Sequence, residues 1–73
     1  MTLKDLGKMI ELERFLMGMG KYEFAQHIGM HYHTYHSFIK QDRITHPTTG
    51  MIIVNFLLAK GKDLSSLTLD KND

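Results

Sequence analysis

The stretch "FAQHIGMHYHTYHSFI", residues 24–39, constrains the fold more than any other part of the chain. Two short runs of helix-spaced apolar residues flank Gly29 and Met30. Isolated helices shorter than about 12–15 residues are marginal in water, so the two must pack on each other and on further helices. Ala25 falls where such helices would approach closely, and Gly29 where the turn would need a positive φ. Met30 would plug the angle between the helices. Tyr35 and Phe38 would anchor the second helix from beneath, with Ile39 at the edge of that face.

The same periodicity extends in both directions. Leu3, Leu6, Ile10 and Met17, joined by Met9, Leu12 and Leu16, predict a helix over about 3–17, ended by "GMG" at 18–20. A second helix covers about 21–28, with Tyr22 or Phe24, Ala25 and Ile28 inward, and a third covers about 32–40. "QDRITHPTT" reads as a loop in which Pro47 pushes His46 out of helical geometry. Thr48 or Thr49 would cap a fourth helix over about 50–60, against the weak helix preference of Ile52, Ile53 and Val54. Gly61 would close it. Asp63 would cap a last short turn over 63–67, with 70–73 as a frayed tail. Nothing alternates at period two. The expectation is one all-α domain of five short helices across residues 1–69.

Composition then limits the chemistry. With 73 residues and no cysteine there is neither a disulfide framework nor a thiolate zinc site, and a reducing compartment is the default. A chain this short hides only about 60% of its extended surface, so its apolar side chains must supply the stability. The longest apolar run, "MIIVNFLLA", is broken by Asn55 and falls short of a bilayer span. Asp5, Glu11 and Glu13 interrupt the N-terminal apolar residues as a signal peptide's core would not tolerate. These features imply a soluble, cytoplasmic protein without a membrane partner. No carboxylate pair, nucleophile–base set or phosphate-cradling glycine loop stands out, so neither an enzyme nor a cofactor is expected.

Four of the five histidines lie between His27 and His36. His33 and His36 are spaced i, i+3, and His27 and His31 could approach each other across the turn. A structural zinc site wants four ligands, however, and only Glu23 lies near enough in sequence to help. No metal site is expected.

Taken in order, "LG" at 6–7, Arg14, "FAQHIGM" at 24–30, Thr34, Pro47 and "AKGKDLSSL" at 59–67 resemble the Cro/C1-type (XRE-like) helix-turn-helix family of phage and bacterial transcriptional regulators. The resemblance implies a lambda-repressor-like DNA-binding domain whose third helix is the recognition helix. The departures are specific. Gly20 and Lys21 stand where the family usually has Ser or Thr followed by Gln. His31 replaces the Ser or Thr that opens the recognition helix. Ile39 replaces a Glu that pairs with the first-helix Arg, which leaves Arg14 without its expected partner. One residue is also inserted between Pro47 and Gly61.

On that fold His31, Tyr32, His33, His36, Ser37 and Lys40 would face outward and enter the major groove. Lys21, Lys40 and Arg43 would neutralise phosphates, helped by helix N-termini. Histidine and tyrosine can bond base edges, although neither makes the bidentate Arg–guanine or Asn–adenine contact. The expected partner is double-stranded operator DNA, bound as a homodimer by a Cro-like repressor. The dimer candidates are the fourth helix and Leu64, Leu67 and Leu69. The alternative is an antirepressor or modulator on the same fold, docking onto a partner repressor. It rests on a formal charge of only +1, an outer helix without arginine, and Met19, Met30 and Ile39 taken as exposed, an interface-like composition.

Overall fold

The computed structural model describes residues 2–41, 43 and 47–66. Within them the chain is all-helical, with four helices and no strand: α1 (Leu3–Leu16), α2 (Lys21–Ile28), α3 (Tyr32–Gln41) and α4 (Pro47–Ala59). No helix among the described residues is long and apolar enough to cross a membrane.

Each helix begins or ends for a local reason. Thr2 caps α1, accepting the Asp5 N–H at 3.2 Å, while Asp5 accepts the Thr2 N–H at 3.0 Å. This reciprocal box satisfies two otherwise unpaired donors, and the Thr2 donors hold the Asp5 carboxyl below its usual range. At the other end of α2, Gly29 adopts φ 86 and ψ 36. Its N–H donates to Gln26 O at 3.1 Å, and the Met30 N–H donates to Ala25 O at 2.8 Å. These two bonds define a Schellman motif, whose left-handed residue favours glycine. The same pair of bonds closes α1 at Gly18 and α4 at Gly61.

Two boundaries differ from expectation. α4 starts at Pro47, because proline's fixed φ suits the first helical position and its missing N–H costs nothing there. Thr48 and Thr49 therefore lie inside the first turn and are not caps; Thr49 is buried. No fifth helix forms among the described residues. The Asp63 carboxylate accepts the Ser65 N–H at 3.0 Å, and residues 65–66 form a turn. Leu67, Leu69, the tail and His46 lie outside the described residues.

All four helices contribute to the core. Leu6 and Ile10 of α1 meet Phe24 and Ala25 of α2, Tyr35 and Phe38 of α3, and Ile53 and Leu57 of α4, with Met30 filling the α2–α3 turn. Phe24 is its aromatic centre, edge-on to Tyr35 at 5.6 Å and to Phe56 at 5.4 Å between centroids. Met30 is thus core, and Met19 and Ile39 are half-buried, so none of the three is the exposed contact that the protein-binding alternative invoked. Leu12 and Leu16, which joined the periodicity that predicts α1, are exposed. The buried stripe runs through Leu6, Ile10 and Glu13, and the two leucines fall off it by the 3.6-residue period.

Two carboxylates lie in or against this small core, and both are answered. Glu13 is only 7% exposed, and Lys62, just past α4, reaches back to it at 2.9 Å. Glu11 accepts from Arg14 Nε at 3.1 Å and Nη2 at 3.0 Å, and from the buried Tyr35 hydroxyl at 2.5 Å. Arg14 also donates to Met19 O at 2.6 Å, tying the α1–α2 turn into the network. Arg14 is therefore not left without a partner. The carboxylate comes from its own helix, and Tyr35 supplies the link to α3. Burial pushes the Glu11 carboxyl up, but its bonds to Arg14 and Tyr35 outweigh that and the net shift is downward. Burial, and then the bond to Glu11, push the Tyr35 hydroxyl well above its usual range.

Candidate functional site on the α2–α3 face

The Gly29–Met30 turn sets the start of α3 beside the outer side of α2. A shallow, open groove results, lined by Tyr22 and Gln26 of α2, by Gly29 and Met30 of the turn, and by His31, Tyr32 and His33. Tyr22 is 62% exposed, and its ring lies 6.0 Å from that of Tyr32. Gln26 Nε2 donates to the Tyr22 hydroxyl at 3.2 Å. Tyr32 is the hub: its ring stacks on His36 at 5.6 Å and 27° and meets His33 edge-on at 5.6 Å.

The His36 Nδ1 is buried and has no hydrogen-bond partner among the described residues. Such an orphan costs stability. A phenyl ring would keep the stack without that cost.

The structure brings together part of the expected site. His31 and His33 are exposed and join the groove with the half-buried Tyr32, and His36 is joined to them through the Tyr32 stack. Ser37 and Lys40 follow on the same stripe of α3 by helical spacing from His33 and His36; Ser37 is half-buried and Lys40 exposed. Arg43 is exposed beyond the end of α3. Lys21 is half-buried at the first position of α2, and its charge acts on the Glu11 carboxyl. Part of its charge is therefore answered within the protein. Tyr32 also packs against the core, so it is not purely an outward residue.

His27 does not turn toward His31. Its ring lies 6.5 Å from those of Phe24 and Phe56, on the α4 side. Among the described residues no three His, Cys, Asp or Glu side chains gather as a metal set.

Tyr22 and Gln26 were not foreseen. Tyr22 was weighed against Phe24 for the core, and the i, i+4 spacing of Tyr22 and Gln26 on the flank of the Phe24–Ala25 face was the available signal. The N-cap of α2 is Gly20, which offers no side-chain bond to the first-turn amides.

Compared with protein-family models, curated proteins and solved structures, the chain matches none.

Proposed function

We propose that this chain is a sequence-specific DNA-binding transcriptional regulator, a Cro-like repressor on a lambda-repressor-like helix-turn-helix fold. The observation that carries the reading is the α2–Gly29–Met30–α3 unit, whose outer face presents His31, His33 and the Tyr32–His36 stack. In this reading α3 lies in the major groove with its N-terminal residues toward base edges. The imidazoles and phenols bond or stack there, and Lys40, Arg43 and the remaining charge of Lys21 meet phosphates. The amides of α2's first turn, left without a side-chain cap, provide a further set of donors for a backbone phosphate. A homodimer would place two such helices in half-sites one helical turn apart.

The test is a salt titration of binding to the chain's own upstream DNA. Neutralising about three phosphates per protomer predicts a log–log slope of roughly −3. His33→Ala is the clean variant, since that side chain is exposed; it should abolish retardation and leave the melt unchanged. No retardation by micromolar protein at low salt ends the DNA reading.

A second reading, an antirepressor-type module that binds a partner repressor through the same face, is favoured by one observation. The exposed Tyr22 and the Tyr32 ring form an aromatic patch across two helices without arginine, and such patches are enriched at protein interfaces. Pull-down of a neighbouring repressor without DNA retardation would decide for it.

A further inference from the structure

α1 carries a second outward face that shares no residue with the α2–α3 groove. Leu12, Phe15 and Leu16 stand 52%, 73% and 67% exposed, at the i, i+3 and i+4 spacing that sets side chains side by side. Single exposed apolar residues are ordinary, whereas a contiguous set marks an interaction surface. We infer that this face docks an amphipathic helical segment of a partner protein, one whose apolar stripe is continued by carboxylates.

The surrounding charges select that occupant. Lys4 and Lys8 continue the stripe toward the start of α1; both are exposed, and neither forms an ion pair among the described residues. The helix's own carboxylates are engaged: Asp5 with Thr2, Glu11 with Arg14 and Tyr35, Glu13 with Lys62. Glutamates or aspartates at one end of a foreign helix would answer the two lysines.

Size points the same way. Three partly exposed side chains offer on the order of a few hundred Å², the scale of the largest patch on an ordinary monomer. That is well below the roughly 800 Å² per partner of a standard stable interface. It suits one helix laid along another, read through anchors at i, i+3, i+4 and i+7.

The test uses the isotope-labelled full chain and two synthetic helical peptides. Both carry leucines at i, i+3, i+4 and i+7; one continues into glutamates and the other into lysines at the same positions. Amide shifts should concentrate on Lys8, Leu12, Phe15 and Leu16 with the glutamate peptide, and the lysine peptide should bind roughly three- to tenfold more weakly. The double variant Lys4→Glu/Lys8→Glu should reverse that preference. Phe15→Ser should abolish binding while circular dichroism shows an unchanged melt. Equal affinity for the two peptides, shifts away from α1, or unfolding of Phe15→Ser each overturn the proposal. So does a dimer in sedimentation velocity that Phe15→Ser dissolves, because a second copy would then be the occupant.

Discussion

Replacing Tyr35 with Phe removes one oxygen from a core that otherwise stays filled. The ring keeps its edge-on contact with Phe24, at 5.6 Å, so no cavity opens. What disappears is the hydroxyl donor to Glu11. Glu11 then retains only Arg14, with its side chain 24% exposed and unable to recruit water freely on the α3 side. A hydrogen bond to a charged group contributes about 1.5–3 kcal/mol, and we expect a loss near the middle, about 2 kcal/mol. A domain of 60–100 residues melts about 4–8 °C lower per kcal/mol, so Tm should fall by roughly 8–16 °C at neutral pH. The loss must also depend on pH, with a definite sign. The folded Glu11 carboxyl is held below its unfolded value, so its contribution is fully present above the ordinary carboxylate range, near pH 4.5, and disappears as pH falls through the lowered folded value. Thermal melts of the wild type and Tyr35→Phe from pH 7 to pH 3 should therefore converge on acidification. A neutral-pH difference under about 2 °C, or one that grows as pH falls, refutes the assignment of this network.

Other consequences are open to simple measurement. Gly29→Ala should lose about 1–2 kcal/mol, the cost of the left-handed region for an L-residue. An added Cβ there meets nothing within 4 Å, so the cost is backbone alone and Gly29→Asn should recover part of it in chemical denaturation. Lys62→Met should cost about 1–2 kcal/mol, discounted because Lys62 is 34% exposed, since it leaves the Glu13 carboxylate buried and unpaired. Adding Glu13→Gln should cost less than the sum of the single changes, a coupling that a double-mutant cycle reads directly. His36→Phe should raise stability by about 1 kcal/mol by deleting an orphaned buried nitrogen while keeping the stack on Tyr32. If the α2–α3 face binds DNA as proposed, the same variant should weaken binding, which gel retardation would show.

Helix positions were legible where a single local rule decides them. The glycines at 18, 29 and 61 follow the last periodic apolar residues, and the helices end there through one and the same bond pattern. The ring anchors Tyr35 and Phe38 were legible too, because at i, i+3 they share one face of α3, from which His33 and His36 are turned away. Misreadings arose where two rules competed. Proline was read as a barrier to what precedes it, when its tolerance at the first helical position extends α4 back to Pro47. On α1 the apolar residues predict the helix, yet the period admits only one buried stripe, and Glu13 lies within it while Leu12 and Leu16 do not.

Arg14 shows why the candidate site was harder to read than the fold. A comparison by position leaves it unpaired, because Ile39 stands where a carboxylate was expected. In three dimensions the same need is met from Glu11, one turn earlier on its own helix, with Tyr35 donating to it across from α3. Together they fix α1 against the helix that carries the histidines. While Glu11 is ionised Tyr35 donates and Glu11 accepts, and protonation exchanges this charge-assisted bond for a weaker neutral one. Protonating Glu11 would therefore loosen α3 at its centre while leaving the ends, the Schellman turn at Gly29 and the exposed Lys40, unaltered. The acid sensitivity of α3's anchorage should thus depend on a carboxylate on α1. Glu11→Gln removes that carboxylate's titration. The acid-dependent part of the Tm of that variant should be smaller than in the wild type, and an unchanged pH profile would refute the role given to Glu11.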